Sequence, residues 1–159
     1  MKGDKKAIKY LNTQLKDELT SINQYYLHAK MYKSWGLGRL GAYEYQESIA
    51  EMHHADKLID HVLMLGGLPN VQDVHKMMIG EDVPECLASD LNLEKTGQKD
   101  LKEGIEYFES IGDYSSRDLF TKLLIDTEAH IDFLQTQIEL ISKVGLQNYL
   151  QAQMTELSE

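Results

Sequence analysis

Apolar residues recur along most of this chain every three or four positions, the spacing that places them on one face of an α-helix. Glycine and proline interrupt the pattern and divide the chain into four long segments and a short tail. These segments cover residues 5–35, 40–65, 84–111, 116–144 and 146–156. Runs with the two-residue alternation and β-branched enrichment of strands are lacking. The pattern therefore predicts an all-α protein.

The lengths of the links predict how the helices are arranged. The first and second helices, and the third and fourth, are joined by short links, which favours antiparallel neighbours. The link over residues 66–83 is long and contains Gly66, Gly67 and Pro69, so we expect it to cross over along the bundle. We predict an up-down four-helix bundle with one long crossover and a short C-terminal fifth helix, forming a single domain over residues 1–159.

The apolar stripe of each long helix is interrupted near its middle by a carboxylate or an imidazole. These residues are Glu18, Glu51, His54, Glu94 and His130. Each alone is typical of a salt bridge or a core histidine, but three converging carboxylates repel one another strongly away from water. A bound cation removes this repulsion, and oxygen and imidazole ligands without thiolate favour iron or manganese. Glu51 and His54 lie one turn apart on one face and can bind one ion.

Composition argues against several other classes of protein. The chain has 16 basic and 26 acidic residues and a formal net charge of −10, which disfavours nucleic acid or an anionic membrane as the main partner. Its single cysteine, Cys86, excludes an internal disulfide and a Cys-x-x-Cys site. We find no N-terminal signal pattern and no apolar run near the ~20 residues of a membrane span. A cytoplasmic location is therefore expected.

Three stretches of the chain are similar to the bacterioferritin family of ferritin-like proteins. They are Met1-Lys2-Gly3-Asp4, Ile22-Asn23-Gln24-Tyr25-Tyr26-Leu27-His28 and Gly145-Leu146-Gln147-Asn148-Tyr149-Leu150-Gln151-Ala152-Gln153. The resemblance implies a hollow shell of 24 subunits, built from two-fold dimers, that stores ferric mineral. It also implies that haem b is shared by two subunits.

The same resemblance implies a di-iron ferroxidase site. Glu18, Glu51 and His54 would bind one iron, and Glu94 and His130 would bind the other.

The chain departs from the family pattern at one bridging ligand. The family has a glutamate three residues before the last histidine, where this chain has Thr127. Glu128 is adjacent, but it lies about 100° further around the helix. Three glutamates would then face the four positive charges of two ferrous ions. We therefore expect the half-site with Glu94 to bind metal weakly and the oxidation of iron to be impaired.

Met52 follows Glu51 and so faces away from the metal stripe. Its spacing alone favours ordinary helix packing. The resemblance instead implies that the Met52 thioethers of two subunits bind the shared haem. We expect three other histidines, His28, His53 and His75, at the surface.

Two functional hypotheses remain open. In the first, the chain is an iron-storage subunit with haem and an incomplete ferroxidase centre. Such a subunit could share a homo- or heteropolymeric shell with a ferroxidase-competent partner and receive electrons from a ferredoxin-type donor. In the second, it is a competent ferroxidase that oxidises Fe(II) with O2 or H2O2 because Glu47, water or a one-iron mechanism compensates for Thr127. A rubrerythrin-like peroxidase is disfavoured by the lack of Cys-x-x-Cys pairs, and a DNA-protecting mini-ferritin by the acidic balance.

Overall fold

The computed structural model describes residues 2–155, and these residues form five α-helices without a strand. The helices are α1 (Lys5–Ser34), α2 (Gly38–Met64), α3 (Val83–Ile111), α4 (Tyr114–Val144) and α5 (Leu146–Gln153). The predicted all-α fold with a short fifth helix is confirmed, and the helix bounds agree to within a few residues. The predicted end of the fifth helix, at residue 156, lies outside the described residues. Within residues 2–155, every helix is too short or too polar to span a bilayer.

Aspartates and a glycine define the ends of the long helices. Asp4, Asp82 and Asp113 precede α1, α3 and α4, and each accepts a hydrogen bond of 2.9–3.1 Å from the backbone N–H three residues further on. This satisfies one of the N–H groups that a helix leaves free at its start. Gly112 ends α3 with a φ of 72°, a left-handed conformation that favours glycine. Local capping therefore sets where the helices begin and end.

The core of the bundle consists of two apolar clusters with a polar layer between them. Helix α1 packs against α2 and α3, and α3 packs against α4. One cluster contains Ala7, Leu11, Leu15, Ala55, Leu58, Val62, Leu65, Leu101, Phe108, Phe120 and Leu123. The other contains Tyr32, Leu37, Leu40, Val83, Cys86, Leu87, Leu134 and Tyr149. Along each long helix, the buried acids and histidines near the midpoint lie between residues of one cluster and residues of the other.

The crossover between α2 and α3 runs alongside α1 and is attached to it by hydrogen bonds. Backbone N–H groups of the crossover donate to side chains on one face of α1 over 2.9–3.0 Å. The accepting residues are Asn12, Thr20, Gln24 and His28. Because these positions are four or eight residues apart, they form a row along the helix. The predicted long crossover is confirmed, and this row determines its path.

Gly104 of α3 packs against the ring of Phe120 on α4. A Cβ atom at this position would lie 2.7 Å from Cδ2 of Phe120 and closer still to Cε2. A Cβ at Gly97 would meet only Nε2 of Gln14, at 3.7 Å. The low helix propensity of glycine is therefore offset at Gly104 by close packing, whereas no such constraint applies at Gly97 within the described chain.

We expect Gly104→Ala and Gly97→Ala to change stability in opposite directions. The first forces the buried Phe120 ring to move, and such overpacking costs about 1–3 kcal/mol. The second removes glycine from a helix interior and stabilises by up to about 1 kcal/mol. Midpoints of thermal unfolding, measured for both variants in the same assembly state, test this. A Gly104→Ala variant as stable as the Gly97→Ala variant would contradict it.

Candidate metal centre

Glu18, Glu51 and His54 meet in the polar layer between α1 and α2. All three are 5% exposed or less. Nδ1 of His54 lies 3.6 Å from Oε1 of Glu18 and 3.6 Å from Oε2 of Glu51. One ligand atom from each residue lies within 4.8 Å of the other two. The two carboxylates and the imidazole predicted to share an ion are therefore brought together, in an arrangement that could hold one divalent cation.

The two ring nitrogens of His54 have different surroundings. Nε2 lies 2.9 Å from Oδ2 of Asp126 on α4, whereas Nδ1 has no hydrogen-bond partner among residues 2–155. Burial opposes the imidazolium form, but Glu18 and Asp126 outweigh it and raise the pKa of His54 to about 9. When a metal binds Nδ1, the Nε2–H of His54 can donate a hydrogen bond to Asp126, which orients the ring.

Glu94 and His130 form the other half of the predicted site. Nδ1 of His130 lies 2.9 Å from Oε1 of Glu94, and the hydroxyl of Tyr25 donates to the same oxygen over 2.5 Å. Burial opposes the charged form of His130, but Glu94 and further acids raise its pKa above the usual value. Oε1 of Glu94 thus already has two close polar neighbours. A metal bound at Nδ1 of His130 would have to replace the proton between that nitrogen and Glu94.

Thr127 occupies the α4 position where a further carboxylate was expected. It is 3% exposed and faces the same buried layer as His130. The side chain of Glu128 is 48% exposed and accepts a hydrogen bond of 2.8 Å from Gln98 on α3. The interpretation that Glu128 lies off the stripe agrees with this position, because its carboxylate is directed to the surface of the bundle.

A second carboxylate of α2 approaches His130. Oε2 of Glu47 lies 3.6 Å from Nδ1 of His130. Glu47, Glu51 and His130 each offer one ligand atom within 4.8 Å of the others. Glu51 therefore belongs both to this group and to the group with His54, so its carboxylate lies between two potential metal positions. Sequence spacing placed Glu47 on the stripe but could not show that it reaches α4.

Met52 lies about 100° around α2 from Glu51, and it is 46% exposed. Tyr26 and Tyr45 are also exposed on the outer face of α1 and α2, with ring centroids 6.0 Å apart. Met52 follows Tyr45 by seven residues, two helical turns, so the two residues share a face. The outer surface of this helix pair therefore presents a thioether and aromatic rings on one face.

The expectation that His28 lies at the surface is wrong. His28 is completely buried together with Glu44 and Asp90, and a ligand atom from each lies within 4.8 Å of the others. His75 is only half-buried, and its Nε2 lies 2.7 Å from Oδ1 of Asp17, whereas His53 is exposed as expected. His28 is three residues beyond Tyr25 on the same helix face, a signal that could have indicated its burial.

Comparison with known proteins identifies the family. Residues 8–144 match the ferritin-like domain. Over 149 residues the chain is 46% identical to a bacterioferritin of Brucella melitensis, covering 94% of this chain and 92% of that protein. It is 42% identical to a bacterioferritin of Rhodobacter capsulatus over the same shares of both chains. A bacterioferritin of Streptomyces coelicolor is 43% identical over 94% of this chain and 90% of its own. The chain belongs to the bacterioferritin family of ferritin-like proteins.

Proposed function

We propose that this chain is an iron-storage subunit of a bacterioferritin-type shell whose ferroxidase centre is incomplete. Membership of the bacterioferritin family supports storage of iron. The observation that carries the proposal is the contrast between the two half-sites. Glu18, Glu51 and His54 offer two carboxylates and a free imidazole nitrogen, whereas α4 offers Thr127 beside His130.

Fe(II) would bind first at Glu18, Glu51 and His54. Two carboxylates balance the charge of one ferrous ion, which removes the like-charge repulsion that burial makes costly. Burial raises the pKa of Glu18 although contacts with His54 and Gln14 favour its charged form. Binding of the ion therefore competes with protons at Glu18 and His54.

The second ferrous ion would bind weakly. Only Glu94 would add a further negative charge, and its Oε1 already accepts from Tyr25 and lies close to His130. Thr127 offers a neutral hydroxyl, which is a poorer bridging ligand than a carboxylate. Three glutamates facing two ferrous ions leave one positive charge unbalanced. Paired oxidation of two irons would therefore be slow in a shell made only of this chain.

Glu47 favours a second candidate function, that of a competent ferroxidase. Its carboxylate lies 3.6 Å from the imidazole of His130 and within 4.8 Å of a ligand atom of Glu51. As a ligand, Glu47 would restore the number of glutamates to four and balance the charge of two ferrous ions. Fe(II) would then be oxidised by O2 or H2O2 before storage of the mineral.

Haem b would bind on the outer face of α1 and α2, between two subunits. The residues there fit the group, because an exposed Met52 thioether and the Tyr26 and Tyr45 rings lie on one surface. A two-fold axis through this face would present two Met52 side chains to one shared iron. When bound, haem would supply one-electron transfer, and thioether ligands favour its ferrous form.

The remaining parts of the proposal concern assembly. The family implies an oligomeric shell, for which we propose 24 subunits in the cytoplasm. A partner subunit with all four glutamates would supply ferroxidase activity to a mixed shell. A ferredoxin-type protein would supply the electrons that release the stored iron.

We expect Thr127→Glu to create a rapid phase of iron oxidation. The added carboxylate balances the second ferrous ion, and changes of this kind at metal sites alter activity by roughly 10–100-fold. The measurement is the early rise in ultraviolet absorbance after Fe(II) is added in air to the purified homopolymer. Thr121→Glu adds the same charge on the exposed side of α4 and serves as the control. A wild-type homopolymer that already shows a fast phase saturating near two irons per subunit would refute the incomplete centre.

The variant Glu47→Gln separates the two candidate functions. If Glu47 is a ligand, its loss lowers the initial oxidation rate by roughly 10–100-fold. If the centre is incomplete as proposed, the rate stays at the slow wild-type value, which is the result we expect. Glu103→Gln, a change of the same kind at an exposed position of α3, should leave the rate unchanged in either case.

For haem, we expect Met52→Leu to abolish the absorption spectrum of a bis-thioether haem while assembly remains intact. Leucine keeps the apolar contact area but has no sulfur to bind iron. Met64→Leu, at another exposed methionine of α2, should retain the spectrum. Spectra of both variants after reconstitution with haem, together with their size-exclusion profiles, test the assignment. Persistence of the bis-thioether spectrum in the Met52 variant would exclude Met52 as the ligand.

A further inference from the structure

A second cluster of ionisable groups lies inside the bundle and has no part in the proposed function. Glu44 on α2, Asp90 on α3 and His28 on α1 are all completely buried. An oxygen or nitrogen atom of each lies within 4.8 Å of the other two. Along the helices, these residues lie between the candidate metal centre and the apolar cluster that contains Cys86 and Tyr149. The complete burial of two carboxylates calls for a compensating charge.

The hydrogen bonds of His28 determine its tautomer. The backbone N–H of Gly80 donates to Nε2 over 3.0 Å, so that nitrogen carries a lone pair. The ring proton is therefore on Nδ1, which donates to Oδ1 of Asp90 over 2.9 Å. Both nitrogens are used, and His28 is neutral. It orients Asp90 but neither binds an ion nor balances a negative charge.

Three carboxylate oxygens of the cluster remain without a donor. Oδ1 of Asp90 is satisfied by His28 and by Gln24, whose Nε2 donates over 2.9 Å. In contrast, Oδ2 of Asp90 and both oxygens of Glu44 have no hydrogen-bond partner among the described residues. The hydroxyl of Tyr32 also lacks one within residues 2–155. Such a concentration of unpaired buried oxygens is rare in native proteins and usually indicates an ion or a water.

The surroundings of Glu44 and Asp90 place these oxygens in one region. Burial raises the pKa of Tyr32, and the negative charges of Glu44 and Asp90 raise it further. The same two charges contribute to the raised pKa of Tyr25, after burial and Glu94. The tyrosines thus lie within electrostatic reach of both acids. Tyr25 also donates a hydrogen bond to Glu94 in the metal centre.

We propose that Glu44 and Asp90 bind one divalent cation at a site separate from the candidate ferroxidase centre. Two carboxylates balance its charge, and each offers at least one oxygen that has no hydrogen-bond partner among the described residues. A set of oxygen ligands without a free imidazole or thiolate favours a hard cation such as Mg2+, Mn2+ or Fe2+.

A proton is the competing occupant of this site. Burial, followed by the charge of Asp90, raises the pKa of Glu44 well above its usual value, so a proton competes with a cation for this carboxylate. A proton held between the two acids, however, pairs one oxygen of Glu44 with Oδ2 of Asp90. The second oxygen of Glu44 stays unpaired, and one negative charge remains buried. A divalent cation balances both carboxylates, and this difference favours it.

Crystals of the intact protein soaked with Mn2+ test the proposal without any substitution. We expect an anomalous difference peak within bonding distance of Glu44 and Asp90, in addition to a peak at Glu18, Glu51 and His54. A peak at the latter group alone would overturn the proposal while leaving the proposed function unaffected. A peak at Glu44 and Asp90 alone would support the new site and count against the proposed function.

Counting bound Mn2+ in solution by electron paramagnetic resonance provides a second test. Glu44→Gln keeps the shape of the side chain but removes its charge, and we expect it to bind one Mn2+ fewer per subunit than the wild type. Glu103→Gln, exposed on α3, should bind as many as the wild type. An unchanged count in Glu44→Gln, with loss of a protonated-carboxyl band from the infrared spectrum, would show that a proton occupies the site. If the variant does not fold, the soaked wild-type crystals decide the question.

Discussion

The structure depends on how buried negative charge is balanced in the middle of the bundle. Glu18, Glu44, Glu51, Asp90 and Glu94 are all less than 5% exposed, and an unpaired carboxylate in such a place costs several kcal/mol. Apolar clusters on either side exclude water from this layer. Protons, imidazoles or metal ions must therefore supply the positive charge. Exclusion of water makes these buried carboxylates costly in free energy when no cation is bound. For the same reason, it makes the layer a strong site for cations.

Much of the fold could be predicted from local sequence because the signals are local. Three helices begin after an aspartate that accepts a hydrogen bond from the backbone N–H three residues further on. Helix α3 ends at Gly112, which has a left-handed conformation. The positions of Glu18, Glu51 and His54 follow from helical period alone. These residues come together because α1 packs against α2, and the short link between the two helices predicts this packing.

The buried His28 and Asp90 were missed because a single apolar stripe was traced on each helix. Helix α1 contacts α2, α3 and the crossover, so it buries more of its circumference than one stripe. Asp90 lies one turn before Glu94 and is buried in the same layer. The row of α1 side chains that binds the crossover is polar, so a pattern of apolar residues could not indicate it.

Thr127, at the position where a carboxylate ligand was expected, illustrates how helix geometry limits which other residues could take that role. The neighbouring Glu128 is turned by about 100° and pairs with Gln98 on the outer surface, so adjacency in sequence gives no help. Glu47 comes from another helix, yet it lies 3.6 Å from His130 because it is one turn from Glu51 on the inward face of α2. A missing ligand in a helical bundle can thus be replaced only by residues that share the inward face. Whether the centre is incomplete or rebuilt therefore depends on Glu47 and not on the acidic residue next to the gap.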